Sequence, residues 1–372
     1  MANKAFKYRL YPTAEQKTFF AKTFGCCRKI WNLMLSDKIE SYEITGRFAA
    51  VTPAGYKKAY PYLKETDSLA LANVQLNLQA AFKNCFDKTR KKRNGFPKYK
   101  SAKRSRRSYT TNNQKGTIVL ADKSIRLPKA GRIRASVHRL PEEGWIIKSA
   151  TVSQNPDGKY YCSVLFEYEA HIPEIAHPEK NAVGLDYKSD GLYVDSDGRT
   201  CGSPKFFRIR QKRLAKEQRK LSRREKGSNN YNKSKLKVAK AHGRIADQRK
   251  DFLHKESAAI AKQYDMVCVE DLNMRAMANK SFGNGKATMD NGYGMFLDML
   301  KYKLEDQGKQ FIVIDKWFPS SQICSVCGTV HTEAKDLSVR KWTCPDCESV
   351  HNRDINAAVN IRNEGIRQFL AG

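Results

Sequence analysis

At the start of the chain Phe6, Tyr8 and Leu10 alternate with Lys7 and Arg9, the period of two that a half-buried strand requires, and Tyr11-Pro12 ends the run. Thr13-Ala-Glu-Gln16 then has the form of a capping box, in which the threonine hydroxyl and the glutamine amide each satisfy a backbone N–H that a helix start leaves orphaned. Apolar residues at Phe20, Phe24, Ile30, Trp31, Leu33 and Met34 carry that helix forward, with a bend expected at Gly25, and a second helix is predicted from about Ser68 to Thr89. From about Lys115 to Glu169 the pattern changes to short apolar runs separated by turn residues, including Asn155-Pro-Asp-Gly158, which predicts several strands joined by tight turns. Pro173 and Pro178 mark a linker.

Beyond the linker, Ala182-Val-Gly-Leu185 and Leu192-Tyr-Val194 predict a hairpin, and Phe206 to Gln263 reads as helix with a break at Gly227-Ser-Asn-Asn230. Met266 to Val269 and Phe311 to Ile314 are short apolar runs of strand length. Alternation of strands and helices predicts an α/β unit. The long helical section has only a narrow apolar stripe, Phe207, Leu214 and Leu221 at seven-residue intervals.

Charge adds a partner to this picture. The 69 Lys and Arg exceed the 38 Asp and Glu, a net +31, and such self-repulsion is relieved by a polyanion. No run of 18 apolar residues supports a membrane anchor, and no apolar block follows the first cations as a secretory leader would. The expectation is a cytoplasmic protein. The cations cluster: Lys88 to Arg107 holds eleven in 20 residues with no acid, and Arg208 to Lys250 holds seventeen against three acids. In the first cluster Arg90, Lys91, Lys92, Arg93, Lys98, Lys100, Arg104, Arg106 and Arg107 surround Phe96 and Tyr99, a mixture suited to phosphates and unpaired bases. In the second, Arg208, Arg210, Lys212, Arg213, Arg219, Arg223 and Arg224 form a cationic helical face that could track a backbone. Gln75, Gln79 and Lys83 are expected on a polar helix face that a nucleic acid could meet.

Two predicted buried strands end in acids, Val183-Gly-Leu-Asp186 and Val267-Cys-Val-Glu270, which places both at the carboxyl edge of a sheet. Asp354 opens a helical stretch, where the helix dipole favours an anion. A strand-end acid alone is more often a turn or a helix cap, but three gathered together would demand divalent cations, and Mg²⁺ prefers such oxygen ligands. Of ten cysteines, four form Cys324-x2-Cys327 and Cys344-x2-Cys347, sixteen residues apart, the spacing of a zinc ribbon. Four thiolates leave no open coordination position, so that zinc is structural; His331 and His351 are left out of the ligand set.

Several segments together resemble the TnpB nucleases of bacterial insertion sequences and, more distantly, the type V CRISPR effectors. They are Tyr8-Arg-Leu-Tyr-Pro-Thr13, Gly95-Phe-Pro-Lys-Tyr-Lys100, Gly184-Leu-Asp186, Val269-Glu-Asp-Leu-Asn273, Pro319-Ser-Ser-Gln-Ile-Cys324-Ser-Val-Cys327-Gly328, Cys344-Pro-Asp-Cys347 and Arg353-Asp-Ile-Asn-Ala-Ala-Val-Asn-Ile361. The resemblance implies an α/β plus β-barrel fold: a RuvC/RNase H-like nuclease domain (181–319 and 351–372) with a zinc-ribbon insertion (320–350), and a wedge β-barrel (1–12 and 110–180) with an inserted helical recognition unit (13–109). It further implies Asp186, Glu270 and Asp354 as the catalytic set on two Mg²⁺ ions, one structural Zn²⁺, a guide RNA, and double-stranded target DNA cut beside a short adjacent motif by a monomer, with no small-molecule substrate. The chain departs from the usual pattern in Asp186-Tyr-Lys-Ser, in Glu348 where glycine is common, and in Asn352 where aspartate is frequent. A guided DNA-binding repressor and a transposase or transposition accessory are the alternatives. Three retained acids argue against the repressor, and seven scattered histidines with no compact His-hydrophobe-His motif argue against a tyrosine transposase.

Overall fold

The computed structural model describes residues 1–89, 95–170, 172–279, 285–332 and 338–371. The chain divides into two compact units, Met1–Ala170 and His171–Gly372.

In the first unit β1 (Ala2–Tyr11) leads into α1 (Ala14–Thr45) through the expected capping box. The Gln16 N–H donates to the Thr13 hydroxyl at 3.3 Å and the Thr13 N–H to Gln16 Oε1 at 3.1 Å. α1 runs unbroken through Gly25, because Phe24, Cys26 and Cys27 on either side are buried and hold that turn on the core; it stops at Gly46, where φ is 71°. Asp67 caps α2 (Ser68–Phe86), which ends three residues short of Thr89 where Asp87 adopts extended backbone.

The remaining elements of this unit are β2 (Arg107–Asn112), β3 (Val119–Ala121), β4 (Ser124–Leu127), β5 (Gly131–Ser136), β6 (Ile146–Gln154) and β7 (Tyr160–Tyr168). Sheet structure thus begins before Lys115, since Tyr109 and Thr111 already alternate inward on β2. The seven strands form one antiparallel sheet in the order β2-β6-β7-β1-β5-β4-β3. Where a closed barrel is expected, the two end strands share no ladder among the described residues, so the backbone pairing leaves the sheet open. One core joins sheet and helices, with Tyr8, Leu10, Phe20, Ile30, Met34, Leu71, Leu78 and Phe166 all essentially inaccessible.

The second unit is built on β8 (Ala182–Tyr187), β9 (Tyr193–Asp195), β10 (Thr200–Cys201), α3 (Phe206–Ser222), α4 (Asn229–Gln263), β11 (Met266–Glu270), the short α5 (Met274–Met277) and α6 (Gly285–Asn291), α7 (Tyr293–Glu305) and β12 (Gln310–Ile314). A two-stranded ribbon, β13 (Lys341–Thr343) and β14 (Val350–Asn352), precedes α8 (Arg353–Ala371). The sheet order is β10-β9-β8-β11-β12, with β8, β11 and β12 parallel and the expected β8–β9 hairpin antiparallel.

Both faces of this sheet are covered, which is why its strands read as continuous apolar runs. Val183, Leu185, Val267 and Val269 pack against Leu253 and Ile260 of α4 and Phe296 and Leu300 of α7. Met266, Cys268 and Ile314 face Ile361 of α8. Two glycines set how close α8 comes: a Cβ on Gly184 would lie 2.0 Å from the Ala358 carbonyl oxygen, and one on Gly365 would lie 2.3 Å from Cys268 Sγ. Side chains at either position would lift the helix off the sheet.

Candidate functional site

Parallel pairing of Leu185 with Val269 brings the next residues, Asp186 and Glu270, out together at the carboxyl edge of β8 and β11. Asp354 arrives from the other side of the sequence, in the first turn of α8. Asn352 is the cap of that helix, its Oδ1 accepting from the N–H groups of Asp354 at 3.1 Å and Ile355 at 3.3 Å, so the asparagine found where aspartate is frequent still performs the capping.

The three acids are within electrostatic reach. Burial pushes the Asp186 carboxyl well above the usual range, and the charges of Glu270 and Asp354 raise it further, against opposition from Arg353 and Lys188. Burial also raises Glu270, offset by the Ser320 hydroxyl, which donates to Glu270 Oε1 at 2.5 Å. Asp354 has two cations for company, Lys188 Nζ at 3.7 Å and Arg340 at 3.4 Å. The Tyr293 hydroxyl is buried without a hydrogen-bond partner among the described residues, and its pKa is raised by burial and then by the negative charge of Asp186 and Glu270. Among the described residues the only groups of three or more potential ligands with donor atoms within 4.8 Å of one another lie at the cysteines, so the oxygens of Asp186, Glu270 and Asp354 are not all that close together. Buried carboxyls whose pKa stays raised despite these cations, together with their oxygen donors and an orphaned hydroxyl, fit hard divalent cations.

Ser320, Lys188, Arg340, Arg353 and Tyr293 do not stand out as site residues in the sequence. Ser320 and Arg353 do lie in segments that carry the family resemblance. Lys188 follows Asp186 by two residues, whereas Arg340 and Tyr293 are brought to the acids only by folding.

Cys324, Cys327, Cys344 and Cys347 bring their sulfurs within 4.8 Å of one another. Cys324 to Cys347 and Cys327 to Cys344 are each 3.6 Å, close to the about 3.8 Å edge of a thiolate tetrahedron with bonds of about 2.3 Å. The two knuckles are built alike. The N–H groups of Gly328 and Glu348 each donate back to the carbonyl of the first cysteine, Cys324 or Cys344, at 2.9 Å. Both residues have positive φ, 82° and 59°, which accounts for glycine at the first and makes Glu348 a strained substitute at the second. His351 Nε2 lies 3.1 Å from Cys324 Sγ and His331 Nε2 3.4 Å from Cys344 Sγ, with the Trp342 ring packed against both imidazoles. These histidines sit around the thiolates, a placement their spacing alone does not assign.

The root of this module is stitched to α8. Asn356 accepts from the Ser325 N–H at 3.0 Å and donates to the Ile323 carbonyl at 2.7 Å; Asn360 donates to the Ser320 and Ile323 carbonyls at 2.8 and 2.7 Å. Ser320, on Glu270, is therefore held by the same helix that carries Asp354.

The cationic residues scatter more. Gln79 and Lys83 are exposed on α2 and Gln75 is half-buried, while Arg90, Lys91, Lys92 and Arg93 lie outside the described residues. Phe96 is 44% exposed with its ring edge-on to Phe82, and Lys98, Tyr99, Arg104, Arg106 and Arg107 are exposed. Lys100 differs, being half-buried with its ammonium 3.6 Å from the centre of the Trp31 ring. In the second unit Arg208, Lys212, Arg213, Arg219, Arg223 and Arg224 are exposed, and Arg210 is half-buried with Nε donating to Gln248 at 2.7 Å.

Comparison with known proteins places the chain. Residues 163–281 match the family described as "Probable transposase", residues 293–361 the "Cas12f1-like, TNB domain", and residues 1–47 a "Helix-turn-helix domain", although 1–47 here are one strand and one continuous helix. A Streptomyces pristinaespiralis protein named "Putative RNA-guided DNA endonuclease" is 38% identical over 99% of this chain and 91% of its own length. An Escherichia coli K12 protein named "Putative RNA-guided DNA endonuclease InsQ" is 31% identical over 99% and 94%. The protein in the "Cryo-EM structure of the Cas12f1-sgRNA-target DNA complex" shares the fold at 14% identity, with a TM-score of 0.54 over 97% of this chain and 99% of that one. With identity of this order along nearly the whole of both relatives, the chain belongs to the TnpB family.

Proposed function

We propose that the chain is a metal-dependent, RNA-guided DNA endonuclease that cuts beside a short adjacent motif with one RuvC-type site, Asp186, Glu270 and Asp354. One observation carries this reading: the β8–β11 register brings Asp186 and Glu270 out at one sheet edge, and the charges of Glu270 and Asp354 both act on the Asp186 carboxyl. The names of the two bacterial relatives and the net charge of +31 support a nucleic-acid substrate and guide.

Asp186, Glu270 and Asp354 would hold two Mg²⁺ ions. Such ions would supply activation of the attacking water and stabilisation of the departing oxygen of a phosphodiester. The chain's own residues fix the ligands: Ser320 orients Glu270, and Lys188 and Arg340 balance Asp354. The four cysteines hold one structural Zn²⁺ that keeps the segment between Ser320 and Asp354 folded. Residues 1–12 and 110–180 act as the wedge, 13–109 as the recognition unit, and the protein works as a monomer on its guide.

Asp186→Ala, Glu270→Ala and Asp354→Ala should each abolish cleavage, measured on a target duplex with the copurified RNA, while RNA-dependent DNA binding stays within about twofold. Cleavage should cease in EDTA and return with Mg²⁺. Full cutting by any one variant would remove that residue from the site.

A further inference from the structure

The first unit contains a polar cavity of about 170 Å³ lined from α1, α2 and the segment entering β2. We propose that this cavity binds one unstacked nucleotide, with Arg28, Lys100 and Arg106 on its phosphate and Asn73 and Asn77 on its base. The proposal rests on the nucleic-acid reading above and adds a site to it.

Lys100 is the strongest observation. Trp31 Nε1 donates to the Lys98 carbonyl at 3.0 Å. Asn32 grips residue 100 on both sides, donating to its carbonyl at 2.9 Å and accepting from its N–H at 2.8 Å. This fixes the ammonium over the Trp31 ring, half-buried, where burial lowers its pKa. No carboxylate pairs with it among the described residues, and the undescribed residues of this unit, 90–94, include no acid. Asp67 accepts from the Thr111 hydroxyl and from the Leu69 N–H and makes no ion pair with Lys100. A cation held partly out of water without a counter-charge favours an anionic ligand, and Arg28 and Arg106 line the same space.

The other wall suits a base. Asn73 and Asn77 lie one turn apart on α2, and side chains at that spacing share a face. The Asn73 amide nitrogen donates to the Leu69 carbonyl at 2.9 Å and to Asn112 at 3.3 Å, which leaves its oxygen to accept. Amide side chains pair with the edges of bases. An engineered cavity of about 150 Å³ takes a benzene ring, so 170 Å³ is room for one heterocycle. A base must leave its stack to enter.

Guide RNA and target DNA both contain such nucleotides, and measurement on the full chain separates them. Binding of the copurified RNA to the protein, and of target duplex to the RNA-bound protein, is titrated for Asn77→Glu, which sets an acid among the cations from an exposed position, and for Arg28→Gln. Gln114→Glu, on an exposed turn outside the cavity, controls for net charge, and thermal midpoints control for folding. The expected result is about tenfold weaker binding of one nucleic acid in both cavity variants, with the control unchanged; which of the two weakens identifies the source. Ultraviolet crosslinking should then place a single ribonucleotide or deoxyribonucleotide on a peptide containing Asn73 to Asn77 or Ser108 to Thr110. If both cavity variants hold RNA and DNA within about twofold of the unmodified chain, the nucleotide site is wrong, while cleavage by those variants would leave the endonuclease reading standing. A chain that neither holds RNA nor cuts DNA would sink both.

Discussion

Asp186 is a charge that the folded chain holds at a cost. Its carboxyl is raised by burial and by two neighbouring acids, so without divalent ions the folded form binds a proton there more tightly than the unfolded form. The sign follows from linkage: the penalty is present above the raised folded pKa and is relieved as pH falls through it towards the ordinary carboxylate value of 3.8, so this group makes the metal-free chain more stable at lower pH. Asp186→Asn removes the charge and keeps the shape. Its melting temperature in EDTA at neutral pH should rise by roughly 2–6 °C while cleavage is lost; a fall in scanning calorimetry would mean that Arg353 and Lys188 outweigh the penalty. Ser320 makes the opposite kind of contribution, because its hydroxyl favours the ionised Glu270 and fixes its direction. Ser320→Ala should slow cleavage about 10- to 100-fold and raise the half-saturating Mg²⁺ concentration. Ser320→Thr should restore both, and an unchanged Mg²⁺ requirement in Ser320→Ala would reduce the serine to packing.

At the scale of elements, α8 joins the parts of the site. It carries Asp354, touches the sheet through Gly184 and Gly365, and holds the cysteine module through Asn356 and Asn360. Zinc is therefore expected to act on cleavage through this helix. Cys344→Ser should lower bound zinc below one per chain and slow cutting, with RNA affinity kept within about threefold because the cationic segments lie elsewhere in the sequence. Fully active protein without zinc by metal analysis would exclude the coupling.

Much of this assembly is legible beforehand. The strands of the second unit announce themselves because they are buried on both faces, and the paired cysteines because their ligand spacing is local. What stays hidden depends on packing between distant segments. Gly184 looks like any strand glycine until Ala358 is seen beside it, Ser320 bonds an acid 50 residues away, and Lys100 reads as one more surface cation until Trp31 and Asn32 enclose it. Gly25 likewise does not interrupt α1, since the buried residues on both sides outweigh the glycine's own preference.

Across the whole molecule the surplus of cations is concentrated, and α3 shows its clearest consequence. Its buried face is little more than Leu214, so most of its cations are free to meet phosphate. Replacing Arg208, Lys212, Arg213 and Arg219 by glutamine should weaken RNA binding and reduce the slope of log affinity against log salt by about 0.7 for each phosphate no longer neutralised, without changing the preferred DNA motif. An unchanged slope would assign this face to something other than nucleic acid.

The position of Asp354 also has a consequence in time. The last of the three acids is 84 residues beyond Glu270 and is placed by a helix that must first fold against strands already made. At about 5–20 residues per second a ribosome needs roughly 4 to 17 seconds to cover that interval. Throughout it, a nascent chain can expose its cationic segments and engage RNA while its cutting site is still missing a wall. Order of synthesis alone thus lets guide capture precede the ability to break DNA.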